Sequence, residues 1–208
     1  MDLYSYVVAY DSGFAPNPFY GYCTLATCKP RIRNSAKIGD WIVGCGSADK
    51  SKKQGGLLVY AMEVCEIITF DEYFNDERFQ VKKANLAGSR KQARGDNIYY
   101  RTEGSWKQLN SYHSNPNGAP NPNHVSRDTG VNRVLIGQRF RYFGKDGPSL
   151  PEYTGSAERF LCHSGRNHSK FINSEPEDER LICNFISWFE TLGDIGYISH
   201  PYDWSDKQ

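Results

Sequence analysis

Hydrophobic and polar positions alternate at the start of the chain. Within residues 3–10, every second position is aromatic or apolar, namely Tyr4, Tyr6, Val8 and Tyr10. This two-residue period is typical of a β-strand with one buried face. Since β-branched and aromatic side chains are also frequent here, the pattern predicts a first strand over residues 3–10.

A glycine-rich hairpin is predicted next. Residues 36–40 indicate a turn, residues 41–45 a strand, residues 46–56 a polar loop and residues 57–68 a long returning strand. Glycines flank the strand at 41–45, where the backbone can approach a flat ligand closely. An ordinary turn explains the same glycines, so the hairpin alone is a weak functional signal.

Two helices have recognisable start signals. Residues 71–79 suit a short helix with Asp71 as its N-cap. Near the C-terminus, Ser174 and Glu177 have the spacing of a capping box, and Gly193 is a stop signal. Between them the apolar residues fall on one stripe, which predicts a C-terminal amphipathic helix: Leu181, Ile182, Phe185, Ile186 and Phe189.

The middle of the chain is poor in aliphatic residues. Residues 82–128 are rich in Asn, Gly, Pro and Ser and contain isolated aromatic residues such as Tyr99 and Trp106. A polar loop of this length in a compact domain is usually functional or mobile. We favour a functional loop over a mobile one, because aromatic side chains in a polar loop need a surface to pack against. Strand character resumes over 131–143.

The elements together predict a mixed α+β fold in a single domain over 1–208. Residues 1–80 would form a barrel-forming half with the glycine hairpin, 81–130 a long polar loop region, and 131–208 a strand plus C-terminal helices. A domain of this size buries roughly 70% of its unfolded surface, so it needs no metal or disulfide for stability.

Composition and charge exclude some classes of protein. Hydrophobic residues make up 38% and aromatic residues 14%, which favours a globular core over disorder. The net charge is only +1, yet basic residues concentrate in 29–53 and 82–94, where they can attract phosphate or simply keep loops soluble. A signal peptide pattern and an apolar run of about 20 residues are lacking, so we expect a cytoplasmic protein without a membrane partner.

The extended segment 11–19 is a candidate for ligand recognition. Its prolines restrict the backbone around Asn17 and can present Asp11 beside it. A carboxylate and an amide can read the edge of a base while Phe19 stacks on its face. Alternatively, both polar side chains satisfy the local backbone in Asx-turns.

Candidate chemistry elsewhere is limited. The Cys23 to Cys28 spacing matches no strong zinc pattern, so we predict neither a metal site nor a cofactor. His113 can act as an acid/base group with Asp11 or Asp128, because histidine titrates near neutral pH and a carboxylate can orient it. A histidine that only hydrogen-bonds within a loop is the alternative.

Motifs with a defined residue order are spread over nearly the whole chain: Asp11-x-Gly-Phe-Ala-Pro-Asn-Pro-Phe19, Cys23-Thr-Leu-Ala-Thr-Cys-Lys-Pro30, Ile38-Gly-Asp-Trp41, Asp96-Asn-Ile-Tyr99, Tyr112-His-Ser114 and Tyr142-Phe-Gly144. Together they resemble the nucleotide modification associated domain 2 family. The resemblance implies a bacterial or phage protein that makes or handles modified nucleotides. It implies the class of substrate, namely modified nucleotides, but no particular reaction.

A shorter resemblance concerns the hairpin. Gly39-Asp40-x-x-Val43, Gly46-Ser47 and the strand at 59–64 are similar to the hairpin of EVE and ASCH domains. This implies a PUA-like small β-barrel with peripheral helices and an aromatic-lined pocket for a base. In the implied pocket, polar contacts with the ligand would come from Asp11, Asn17 and Ser47. The aromatic side chains that would stack on the ligand or form the walls are Phe19, Trp41, Tyr99 and Trp106. The residue that closes over the ligand would be Gln108 or His113.

Three functions follow as hypotheses. The first is a reader that binds a nucleotide or modified nucleobase in a modification or defence system. The second is an enzyme that acts on a nucleotide or base, using His113 with Asp11 or Asp128. The third is a protein-interaction subunit of such a system. The expected partner is therefore a nucleotide, a modified base or a nucleic acid, and the sequence leaves the oligomeric state open.

Overall fold

The computed structural model describes residues 1–48, 54–151, 161 and 168–204, with helices and strands mixed along the chain as predicted. The strands are β1 (Leu3–Val8), β2 (Cys23–Leu25), β3 (Trp41–Gly46), β4 (Leu58–Glu63), β5 (Glu66–Ile68), β6 (Tyr99–Thr102), β7 (Ser105–Gln108), β8 (Val134–Gly137), β9 (Phe140–Tyr142), β10 (His168–Phe171) and β11 (Gly196–Tyr197). The helices are α1 (Pro30–Ser35), α2 (Phe70–Asn75), α3 (Arg90–Ala93), α4 (Pro122–Thr129) and α5 (Pro176–Glu190). Turns of 3₁₀ helix lie at Glu77–Lys82, Gly144–Asp146 and Tyr202–Trp204.

The chain divides into two compact units. The first unit comprises Met1–Asp11, Ala36–Val64 and Gln138–Gln208, and the second comprises Ser12–Ser35 and Cys65–Gly137. Each unit has its own sheet and its own buried core. None of the helices in the described parts of the chain combines the length and the apolar character that crossing a bilayer requires.

The first unit is built on a six-stranded sheet with the order β10-β1-β3-β4-β9-β11. The predicted hairpin is present as the antiparallel pair β3 and β4, and β1 runs parallel to β3. Helix α5 contributes its predicted apolar stripe to the core of this unit, where Trp41 packs edge-on against Phe189 at 4.9 Å between ring centroids. Within the described residues the sheet is open, because β10 and β11 form its two edges.

The second unit contains the three-stranded antiparallel sheet β2-β8-β5, the hairpin of β6 and β7, and helices α1 to α4. Its core is largely aromatic and includes Phe70, Tyr73 and Tyr99. The segment 82–128 is therefore not the long loop that its composition predicts. The hairpin was missed because its strands are short and turn at Glu103 and Gly104, both with positive φ, which is the geometry of a tight hairpin turn.

Several predicted boundaries were wrong. The strand expected over 57–68 is divided into β4 and β5, which belong to different sheets, and the strand expected over 131–143 is divided into β8 and β9. The first strand ends at Val8 rather than at residue 10. Part of the predicted loop at 46–56, namely 49–53, lies outside the described residues.

The helix starts also differ from their predictions. Thr69, not Asp71, caps α2, since its hydroxyl accepts from the N–H of Glu72 while the Glu72 carboxylate accepts from the N–H of Thr69. At α5 the cap residue is Glu175, one position after the predicted Ser174, and it makes no side-chain cap hydrogen bond. Pro176 follows as the first helical residue, a position that proline favours. Helix α5 ends at Glu190, before the predicted stop.

Candidate functional site

Three side chains from distant parts of the sequence meet in the second unit. Cys28 lies in the bend between β2 and α1, His113 in the turn after β7, and Asp128 in the last turn of α4. The Cys28 Sγ and His113 Nε2 atoms are 3.7 Å apart, and His113 Nδ1 is 3.0 Å from Asp128 Oδ2. The thiol therefore contacts the imidazole, and the imidazole contacts the carboxylate. We call these three residues the Cys28 triad.

The carboxylate of Asp128 is completely buried and fully hydrogen-bonded. Its Oδ1 accepts from the backbone N–H of Cys28 and from Arg127 Nε, each at 3.0 Å. Its Oδ2 accepts from the hydroxyl of Tyr99 and from His113 Nδ1, also at 3.0 Å. Burial alone would raise the pKa of Asp128, but the bonds from His113 and Arg127 outweigh it and hold that pKa well below the usual range. The group is therefore a permanent anion.

This anion sets the proton position on His113. An ionised carboxylate only accepts hydrogen bonds, so Nδ1 must carry the proton and Nε2 presents a lone pair towards Cys28. Burial lowers the pKa of His113 more than Asp128 raises it, which keeps the imidazole neutral at neutral pH. The ring is fixed between Phe14 and His124, at centroid distances of 4.5 and 4.3 Å. His113 can thus accept a proton in a defined direction.

The thiol is held on a turn of unusual backbone conformation. Cys28 has φ 60° and Lys29 has φ 41°, both in the left-handed region that disfavours residues other than glycine. The side chain of Arg33 stabilises this turn by donating to the Cys28 carbonyl at 2.9 Å. The same guanidinium donates to the Asp128 carbonyl, so it ties the turn to α4. Cys28 is a free, partly exposed thiol whose pKa is raised by burial and by Asp128.

The arrangement suits proton transfer better than metal binding. Ligand atoms of the Cys28 triad lie within 4.8 Å of one another, and three protein ligands can hold a catalytic zinc ion. However, the four lone-pair positions of Asp128 are occupied by donors, and the cationic Arg127 adjoins the carboxylate. A nucleophile, a base and a group that orients the base are the parts required for covalent catalysis.

The chain has a relationship to a known family. The family model described as nucleotide modification associated domain 2 matches residues 1–208, the full length of the chain. The chain belongs to this family. The name of the nucleotide modification associated domain 2 family indicates a role in nucleotide modification. No curated protein and no solved structure matches this chain.

Some of the residues predicted to bind a ligand lie at or beside the Cys28 triad. Tyr99 donates to Asp128, and Gln108 Nε2 donates to the hydroxyl of Tyr99 at 3.4 Å. Trp106 lies one layer behind, since Phe70 packs against both Tyr99 and Trp106 at centroid distances of 5.4 and 5.7 Å. The structure thus brings Tyr99, Gln108 and His113 together, with Trp106 supporting them.

Asn17, in the N-terminal motif of the family, belongs to a buried network. Its Oδ1 accepts from Lys82 Nζ at 2.6 Å, and its Nδ2 donates to the carbonyl of Arg94 at 2.7 Å. Lys82 also donates to Thr24, whose hydroxyl donates to the buried carboxylate of Asp96 at 2.7 Å. This network rigidifies the segment after β1. Phe19 is buried in the same segment, 1% exposed.

The other predicted residues lie in the first unit. Asp11 is buried, accepts from the hydroxyl of Tyr142 and accepts from the backbone N–H of Tyr202 at 2.8 Å. Trp41 is completely buried in the core, and Ser47 follows β3 with a partly exposed side chain. Of the two carboxylates considered for His113, Asp128 is the one that it contacts. Ligand binding by Asp11, Trp41 and Ser47 stays a prediction.

Sequence reasoning missed Cys28, Arg33 and Arg127. A free cysteine in a chain with candidate His and Asp residues is a recognised nucleophile pattern, and this signal was present. Zinc spacing compares cysteines that are close in sequence, so it does not detect a cysteine whose partners are distant. Cys28 and His113 are separated by 85 positions, so the pairing follows from the fold.

Proposed function

We propose that this chain is an enzyme of nucleotide modification in which His113 and Asp128 form the acid/base pair. The observation that carries the proposal is the buried 3.0 Å contact between His113 Nδ1 and Asp128 Oδ2, which leaves the lone pair of Nε2 free to accept a proton on the side of Cys28. A positioned general base of this kind contributes about 10²–10⁴-fold to a reaction rate.

The charges near the pair suit an anionic substrate. Arg127 is partly exposed, and its NH2 atom reaches to 3.9 Å from Cys28 Sγ. Arg94 lies 4.2 Å over the exposed ring of Tyr112, the residue next to His113. Guanidinium groups bind phosphate oxygens with paired donors, and an aromatic ring offers a base a stacking surface. A nucleotide, or a nucleotide within a nucleic acid, is the proposed substrate.

The setting of this activity is part of the same proposal. We place the activity in the cytoplasm, in a bacterial or phage system of nucleotide modification or defence; the family resemblance implies the system, not the location. The PUA-like architecture stays a prediction from the shorter resemblance.

A reader of modified bases is the second candidate. It is favoured by the stacked pair of Phe74 and Tyr100, whose rings are 4.3 Å apart at an interplanar angle of 20°, with Lys83 Nζ 3.6 Å from the Phe74 ring centroid. An aromatic surface beside a cation is a common platform for a base. This platform is compatible with an enzyme that also binds a polymer.

Mass spectrometry of nucleotides separates the two candidates. The purified chain is incubated with nucleotide pools and with oligonucleotides that do or do not carry modified bases. We expect wild type to change the mass of one substrate class, the His113→Gln variant to be slower by on the order of 100-fold, and His200→Gln to match wild type. His200 is the control because it is an exposed histidine of the first unit.

The outcomes are distinct. Equal turnover by His113→Gln and wild type would remove His113 from the mechanism. Tight binding of a modified oligonucleotide without any change of mass would favour the reader and reject the enzyme.

A further inference from the structure

An acid/base pair formed by His113 and Asp128 does not require a cysteine beside it. A His–Asp pair can transfer a proton by itself, but here a free thiol lies 3.7 Å from the unprotonated Nε2 of His113. Asp128 contacts both partners, since it accepts from His113 Nδ1 and from the backbone N–H of Cys28. The carboxylate therefore fixes the thiol and the base relative to each other.

The local backbone argues against a purely structural cysteine. Two consecutive residues, Cys28 and Lys29, have positive φ, a conformation that is unfavourable for any residue other than glycine. A structural turn would be more stable with glycine or asparagine at these positions. Cys28 is also partly exposed, unlike the fully buried Cys23 on the preceding strand. A strained, accessible residue held by buried partners is typical of a reacting group.

A positive charge lies beside the sulfur atom. Arg127 donates through Nε to Asp128 at 3.0 Å, and its NH2 atom is 3.9 Å from Cys28 Sγ. A carbonyl carbon attacked by the sulfur would place its oxygen within reach of this guanidinium. Fixed cationic donors of this kind stabilise the negative charge that develops on the oxygen during attack.

We propose that Cys28 is the nucleophile of an acyl-transfer reaction and that the substrate is an amide or ester group carried by a nucleotide. The nucleotide part of this inference rests on the proposed function. As the sulfur bonds to the carbonyl carbon, the thiol proton passes to His113 Nε2. The carbon–nitrogen or carbon–oxygen bond then breaks, and the imidazolium returns the proton to the leaving amine or alcohol. A thioester on Cys28 remains.

The second half of the reaction uses the same groups. His113 takes a proton from water, or from an acceptor amine or alcohol, as its oxygen or nitrogen bonds to the thioester carbon. The carbon–sulfur bond breaks and the proton returns to Cys28. Because the burial of Cys28 favours the neutral thiol, attack depends on proton removal by His113 rather than on a resident thiolate. The dependence on His113 is what a test must detect.

The test uses p-nitrophenyl acetate, a simple activated ester, and needs no nucleotide. We expect wild type to release a burst of one equivalent of p-nitrophenol per chain and to gain one acetyl group on Cys28, removable by hydroxylamine. Cys65 and Cys183 are exposed free thiols and serve as internal references within the same sample. Cys28 should be acetylated on the order of 100-fold faster than either of them.

Variants decide the assignment. His113→Gln should slow acetylation of Cys28 about 100-fold and leave acetylation of Cys65 unchanged, and Cys28→Ala should abolish the burst while the melting temperature stays near that of wild type. Cys28 reacting no faster than Cys65, or unaffected by His113→Gln, would overturn the proposal. In the nucleotide assay, a covalent adduct on Cys28 with the mass of a whole nucleotide, resistant to hydroxylamine, would also overturn acyl transfer.

The acetylation experiment tests the nucleophile independently of the nucleotide assay, which tests the proposed function. Fast acetylation of Cys28 without any nucleotide turnover would reject the proposed function and keep the nucleophile. Full nucleotide turnover by Cys28→Ala would reject the nucleophile and keep the His113–Asp128 pair.

Discussion

The imidazole of His113 and the carboxylate of Asp128 are 3.0 Å apart across fifteen positions of the chain, and both are buried. The contact joins the turn after β7 to the last turn of α4. In the enzyme proposed above, this contact would hold the imidazole in one orientation throughout the reaction. Preorganised contacts of this kind carry much of the rate enhancement of enzymes.

Replacing Asp128 by asparagine tests the role of its charge. The amide can donate to Nδ1, which favours the tautomer with the proton on Nε2 and removes the base that faces Cys28. We expect the rate of Cys28 acetylation and of nucleotide turnover to fall about 10³–10⁴-fold, as in other triads. The matched control is Asp146→Asn, at an exposed aspartate of the first unit. A circular dichroism spectrum like that of wild type together with an unchanged rate would contradict this role.

The buried carboxylate of Asp96 makes stability depend on pH. Burial raises its pKa to about 6, although Lys82, Thr24 and Tyr73 oppose this shift. A raised pKa means that the folded state holds the proton more tightly than the unfolded state. The stabilisation is therefore complete below about pH 4 and is lost as the pH rises through about 6.

Urea unfolding between pH 4 and 7 measures this effect. Relative to Asp96→Asn, which cannot ionise, we expect the free energy of unfolding of wild type to fall by about 2 kcal/mol across that range. A constant difference between the two proteins would show that Asp96 is not a raised-pKa group.

Trp41 is expected to act through packing. Its indole is completely buried and packs edge-on against Phe185 and Phe189 at centroid distances of 6.0 and 4.9 Å. Trp41→Ala should therefore lower the free energy of unfolding by about 3–5 kcal/mol, measured by denaturant titration. Trp106→Ala, at a partly exposed ring, should cost less. If Trp41→Phe keeps its stability but weakens nucleotide binding more than about tenfold, Trp41 is a pocket wall, as the hairpin resemblance implies.

The two candidate capping boxes should behave differently. Thr69 makes both reciprocal bonds with Glu72 at the start of α2, so Thr69→Ala should destabilise the protein by about 1 kcal/mol. Ser174 precedes the cap residue of α5, which has no side-chain cap bond, so Ser174→Ala should change stability by less than about 0.5 kcal/mol. Thermal unfolding of both variants checks this, and equal effects would contradict the observed caps.

Local pattern was a good guide for β1, for the glycine-flanked hairpin of β3 and β4 and for α5. The three strands are buried on both faces, so their β-branched and aromatic residues and the turn signals around them made them predictable, whereas α5 places its apolar side chains on one face at the helical period. Pattern failed for β6 and β7, whose exposed positions carry no such period. It also failed for residues 57–68, where an apolar run interrupted only by Glu63 and Glu66 does not reveal that β4 and β5 join different sheets.

The sequence by itself determined the family, the mixture of helices and strands, and the residue types available for chemistry, including His113 and Asp128 as a candidate pair. Only the tertiary structure decided that Asp128 rather than Asp11 contacts His113. It also decided that Asn17 accepts a hydrogen bond from Lys82 and that Cys28 lies beside His113. The physical reason is sequence distance. Secondary structure is set by neighbours a few positions apart, whereas the contact between Cys28 and His113 spans 85 positions and forms when β2, β7 and α4 pack together.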